Sequence, residues 1–226
     1  MTRLQWYKVL VTVVLTAWVS APYYALQRWQ VFPARAVRPT SLDHLIPFHG
    51  SAVGVYLSLY LLLPLTLLLM ERREDVRSAA QGLALIATVS HLAFFLMPTY
   101  MPLPRTISAE SDFLYRWMTT MDGPFNACPS LHASLGIFAA SWCQRLLRTK
   151  LYARGVWLWT GAILLATLVT KQHVLWDLVV GGSLGLMVYY VGELRRRAQE
   201  KTSTVAVSPV FAGSETIPSQ FGQGAE

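Results

Sequence analysis

The sequence predicts an all-α fold, an integral membrane bundle of six transmembrane helices, and three observations carry that prediction. The chain has 226 residues, 54% of them hydrophobic and only 14% charged, whereas an average soluble domain carries about 25% charged residues. The apolar residues come in long blocks and not in short amphipathic alternation, and six blocks approach the roughly 20 residues that cross a hydrocarbon core. The ionisable residues collect between the blocks or at their ends. In lipid every backbone N–H and C=O needs a partner within the protein, so each block reads as a helix.

The blocks run 9–27, 50–70, 79–97, 130–147, 153–170 and 174–192. The first two hold no Asp, Glu, Lys, Arg or His, and the third holds only His91. The fourth opens at His132 and runs into Arg145, and the sixth encloses Asp177. Arg3 and Lys8 ahead of the first block suit a signal peptide. Its apolar run is too long for one, and Pro22 follows the only small-residue site, so the block reads as a retained span. Residues 1–202 form one six-span membrane domain. The tail 203–226 is rich in Ser, Thr, Gly and Gln without periodicity and is expected to be disordered and cytoplasmic.

The net charge of +7 is most informative when split by loop. On the six-span reading thirteen Lys and Arg fall on the side of the termini and six on the other. Cytoplasmic segments carry the excess. Both termini are therefore expected in the cytoplasm of what reads as a bacterial inner membrane. Three polar segments then share the outer side: 98–105, 126–134 and 170–177.

The third of these carries His173 and Asp177, four apart and so on one helix face. A carboxylate on one imidazole nitrogen fixes the tautomer and leaves the other nitrogen free to attack. A structural His–Asp pair joining two helices explains the same spacing. In the second segment Ser130, following Pro129, stands as the N-cap of the fourth block. A helix N-terminus suits a phosphate, and His132 in the first turn would stand beside it as a proton donor. In the first segment Arg105 follows Pro98, Pro102 and Pro104, and can bind phosphate in a bidentate way. Lys171 adds a further positive charge. Asp43, His44 and His49 share the outer loop, but their spacing is irregular for a metal site. Residues 108–119 could form an amphipathic helix over the site, with Phe113, Leu114 and Trp117 facing the membrane.

Pro129-Ser130-Leu131-His132 and Lys171-Gln172-His173-x-x-x-Asp177, some 40 residues apart, resemble the motifs of the type 2 phosphatidic acid phosphatase superfamily. The resemblance covers roughly 37–195. Leu131 in place of the commoner Gly, Thr170 through His173, and 42–48 followed by Tyr56 are similar to its inositol-phosphorylceramide-synthase-like branch. Where the common pattern has Lys, Pro and Arg, this chain has Pro98, Thr106 and Thr167.

The resemblance implies a membrane lipid-phosphate phosphatase or pyrophosphatase without cofactor or metal. His173 would form a phosphohistidine aided by Asp177, and His132 would protonate the leaving oxygen. Arg105, Ser130, Lys171 and the backbone at Leu131 would hold phosphate. The implied partners are a phosphorylated membrane lipid and the bilayer, with no nucleic acid. A lipid phosphotransferase would use the same intermediate. A non-catalytic transporter or structural membrane protein is the alternative from another class, with His91 and Asp177 in a relay or a packing contact.

Overall fold

A computed structural model describes residues 1–103 and 113–207. Each of the six apolar blocks is helical. The first is α1 (Arg3–Arg28), opened by a capping box in which Thr2 and Gln5 exchange side-chain and backbone bonds. The second is not one rod. A 3-10 turn (Gly50–Ala52) leads into α3 (Val53–Leu57) and then α4 (Leu59–Leu68). The break falls at Ser58, whose Oγ donates to the Val55 carbonyl at 2.6 Å and accepts from Trp159 Nε1 at 2.8 Å. A serine that bonds back to its own helix competes with the ladder and bends it.

The third block is α5 (Arg73–Leu96), which starts six residues before the apolar block because Glu74 and Asp75 favour a helix N-terminus. Its buried stripe runs from Val76 to Phe94. His91 Nε2 donates to the Val19 carbonyl of α1 at 3.1 Å, so this intramembrane imidazole fastens two helices together.

The fourth block, α7 (Leu131–Leu146), differs from its neighbours. It is 16 residues long, or about 24 Å, and twelve of those residues are buried. Small residues such as Ala133, Ser134, Gly136, Ala139 and Ala140 let α4, α5 and α8 (Lys150–Val169) close around it. Among the described residues five helical runs are long and apolar enough to cross a membrane: α1, Gly50–Leu68, α5, α8 and Leu175–Gln199 of α9 (Leu175–Val207). The chain is a multi-pass membrane protein. The expected sixth span, α7, falls short of that length because protein and not lipid surrounds it.

The connections on the motif side are stitched to one another. β1 (Arg35–Ala36) pairs in parallel with β2 (Thr99–Tyr100), and Met101 N–H donates to the Pro124 carbonyl at 2.9 Å. α2 (Ser41–Leu45) follows β1 and carries its own capping box, Thr40 with Asp43. α6 (Phe113–Met121) is amphipathic, with Tyr115 and Met118 buried against α3 and Phe113 and Trp117 exposed. Leu114 departs from the expectation, since it packs inward against the Val53–Tyr56 cluster. Residues 108–112 of that segment lie outside the described residues, as does 208–226 of the tail.

Two compact units divide the chain, 1–190 and 191–226. The first holds every helix just named up to Tyr190 of α9. Within the second, Glu193 accepts from Arg196 and, at 2.9 Å, from Arg197 Nε.

α7 and α9 approach each other backbone to backbone. A Cβ placed on Gly181 would stand 2.3 Å from the Ser130 carbonyl oxygen, and one on Gly185 2.3 Å from that of Ser134. No side chain fits at either position. Gly185→Ala is expected to cost about 1–3 kcal/mol through forced separation of the two helices, seen as a lowered Tm in detergent. Gly155→Ala, where a Cβ meets nothing within 4 Å, should leave Tm unchanged or raise it.

Candidate active site

Two imidazoles from distant parts of the chain meet at the motif end of the bundle. The ring centroids of His132 and His173 are 6.2 Å apart with planes at 54°. His132 comes from the first turn of α7, and His173 from the tight connection between α8 and α9. In that connection Lys171 takes φ 55°, and the Thr167 carbonyl accepts from both Gln172 N–H and His173 N–H at 2.9 and 3.2 Å. The chain therefore reverses within a few residues and aims His173 back at α7.

His173 Nδ1 donates to the Ala127 carbonyl at 3.0 Å, with Asp177 Oδ2 at 3.4 Å from the same nitrogen. The proton thus resides on Nδ1, and Nε2 keeps its lone pair. The carboxylate expected to fix this tautomer shares that task with a backbone carbonyl that is closer. Asp177 is not in mid-span. It is the third residue of α9, and its Oδ2 accepts the Val174 N–H at 3.1 Å, which is the reach-back half of a capping box. The other oxygen, Oδ1, is buried, and the carboxylate stands beside the Cys128 thiol. Burial first, and then the charge of Asp177, push the Cys128 thiol up to about 12.

Ser130 caps α7 through its Oγ, which accepts the Ala133 N–H at 3.3 Å, and its own N–H donates to the Asp177 carbonyl at 3.1 Å. That backbone bond locks the starts of α7 and α9 together. The N–H groups of Leu131 and His132 have no acceptor among the described residues. His132 Nε2 is likewise buried without a partner. Two open N–H groups at a helix N-terminus beside an open imidazole nitrogen make a place where an anion fits.

Lys171 lies close by but points elsewhere. Its Nζ donates to the Asp43 and Ile46 carbonyls at 3.1 and 2.5 Å. Burial lowers its pKa, and the charge of Asp43 partly offsets that. Asp43 itself is buried, with Oδ2 accepting from Thr40 N–H and Oγ1, both at 2.7 Å, and Oδ1 from Leu175 N–H at 2.9 Å. A residue 132 positions away thus caps α9. Among the described residues no group of three His, Cys, Asp or Glu could hold a metal ion. Arg105 lies outside the described residues.

A second polar cluster went unread in the sequence. Tyr56 stacks on His132, centroids 4.1 Å apart at 26°, and its OH donates to Asp122 Oδ2 at 2.7 Å. Asp122 Oδ1 accepts from Tyr23 OH at 2.7 Å and Gln27 Nε2 at 2.5 Å. Tyr23 and Gln27 are four apart at the end of α1, a spacing that could have marked a shared polar face. A cavity of about 160 Å³ opens below, reaching both His132 and His173.

The apolar helical bundle, with two imidazoles paired beside a helix N-terminus, defines a multi-pass membrane protein with a polar site at one end of its helices. The chain belongs to the PAP2 superfamily, whose family model matches residues 24–191. Membership carries phosphatase-type chemistry, hydrolysis or transfer of phosphoesters. No match was found among curated proteins or among solved structures.

Asp43→Ala would leave the Leu175 N–H uncapped and remove the partner of Thr40. The expected loss is about 1–2 kcal/mol, read as a drop in Tm in detergent. Asp43→Asn, which keeps an acceptor oxygen, should recover most of it.

Proposed function

We propose that the protein dephosphorylates a membrane lipid through a phosphohistidine at His173. The observation that carries this reading is the pairing of the two rings. His173 Nε2 is left with a lone pair by the Nδ1–Ala127 bond, and the His132 ring lies 6.2 Å from the His173 ring, centroid to centroid. In the first step Nε2 attacks phosphorus, the P–O bond to the lipid alcohol breaks, and the departing oxygen takes a proton from His132. In the second, water attacks the phosphohistidine and gives a proton to His132, and the P–N bond breaks to free phosphate. The N–H groups of Leu131 and His132 stabilise the equatorial oxygens, where charge develops. Arg105 is assigned the side-chain cation. Lys171 acts at longer range, since its Nζ anchors α2. No step calls on a metal ion. The excess of Lys and Arg on the side of the termini supports cytoplasmic termini and a site on the extracytoplasmic face.

A lipid phosphotransferase is the second reading. The segment 42–48 and Tyr56, which carried the resemblance to the ceramide-linked branch, are bonded to the site itself, through Asp43 to Leu175 and through the Tyr56–His132 stack. An alcohol would then replace water in the second step. Candidate alcohols added to labelled lipid phosphate should yield labelled transfer product if this reading holds, and undiminished free phosphate if hydrolysis does.

His173→Ala should abolish phosphate release. His132→Ala should lower it by roughly 10²–10⁴-fold and allow the phosphohistidine, whose P–N bond survives alkali but not acid, to be trapped with an alkaline quench. Asp177→Asn should cost less than His132→Ala, because the Ala127 carbonyl still holds the tautomer. Full turnover by folded His173→Ala protein would rule out the covalent scheme.

A further inference from the structure

We infer that the groove between α1 and α4 holds the hydrocarbon chain of the lipid whose phosphate lies at the histidine pair, and that α1 is therefore part of the substrate site. This rests on the proposed reading of the pair as the phosphate site. The part of α1 before residue 24 precedes the matched family region, which starts there.

The groove is built by geometry. α1 contributes one face, on which Thr12, Leu15, Thr16, Val19, Ser20 and Tyr23 line the cavity. α4 faces it with Leu59, Leu63 and Leu67. Leu83 of α5 and Leu135 of α7 form the floor. The helix is pinned at both ends. Lys8 Nζ donates to the Leu68 carbonyl at 2.9 Å, and Tyr23 and Gln27 hold Asp122 at the other end. Between the pins, α1 is fastened to α5 instead, by the His91–Val19 carbonyl bond and by Trp18 Nε1 to Thr88 Oγ1 at 3.2 Å. α1 is thus tied to the end of α4 at Lys8, to Asp122 after α6 at Tyr23 and Gln27, and to α5 in between, and the slot lies between its middle and α4.

Polarity and length then select the occupant. The slot is mainly apolar along its walls, with the small hydroxyls of Thr12, Thr16 and Ser20 on α1, while Asp122, Asn126, His132 and His173 gather at one end, which is the pattern of an amphiphile with a polar head. From Tyr23 to Thr12 the helix rises about 16 Å, and one leaflet of a 30 Å hydrocarbon core is about 15 Å deep. The enclosed part, about 160 Å³, is close to the size of a cavity that takes one benzene ring. A chain therefore lies half inside, its outer side against bilayer lipid.

The test uses the full chain in lipid nanodiscs. A dodecyl phosphate with a terminal diazirine should label the inward stripe near Thr12 and Leu67. Labelling spread over the outward residues Leu10 and Val14 would overturn the inference. With alkyl phosphates of graded length, kcat/KM should rise roughly two- to fourfold per methylene and level off near one leaflet. Thr16→Trp, which narrows the slot, should remove that rise while leaving butyl phosphate turnover intact. An unchanged rise in Thr16→Trp would also overturn it. The two readings separate in His173→Ala: if it turns over substrate like wild type the phosphohistidine fails, while the labelling pattern still decides the groove.

Discussion

The site depends on one constraint: α9 lies backbone to backbone against the start of α7. Gly181 and Gly185 admit the Ser130 and Ser134 carbonyls where any Cβ would collide, and the Ser130 N–H to Asp177 carbonyl bond fixes the register at that contact. His132 follows Ser130 by two residues and His173 precedes Asp177 by four, so the same contact fixes the distance between the rings. Packing in lipid gains nothing from burying apolar surface against apolar surface, and close contact between small residues is what holds such helices together. The glycines that permit the fold therefore also set the geometry of the chemistry.

The rest of the bundle positions that contact and shields it. α7 is surrounded by protein, which is why it can be short and built from Ala, Ser and Gly. The outer helices carry their leucines and valines on faces that meet lipid, as at Leu10, Val14, Leu61 and Leu158. On the motif side the short β ladder, α2 and α6 close over the ring pair. Asp43 and Lys171 bind this cover to the α8–α9 turn from opposite directions, side chain to backbone in each case.

How far the sequence was legible follows from how local each feature is. The six blocks were readable because bilayer thickness imposes a length on apolar runs, and Ser130, His132, His173 and Asp177 because caps and four-residue spacing are local rules. The sequence misled where a distant backbone atom decided the outcome. The Ala127 carbonyl lies nearer His173 Nδ1 than Asp177 does, and no periodicity reports a carbonyl. Lys171 seemed free to meet phosphate, yet its ammonium finds the end of α2. Asp122 drew no notice because its partners Tyr23, Gln27 and Tyr56 come from two other helices. The break at Ser58 depends on Trp159, which is 101 residues away.

Two helix N-termini converge on the ring pair, and they are not equivalent. That of α9 is covered by carboxylates, Asp43 on the Leu175 N–H and Asp177 on the Val174 N–H. These satisfy the leading donors and oppose the positive end of the dipole. That of α7 is capped among the described residues by the neutral Ser130 hydroxyl, and the N–H groups of Leu131 and His132 have no acceptor among them. In the proposed mechanism an anion at this end of the bundle is disfavoured at α9 and received by α7, with His173, on the approach to α9, as its nucleophile. In-line attack with a leaving group at His132 would call for this polarity, and reversing which helix carries the carboxylates would place the phosphate against its own nucleophile's support.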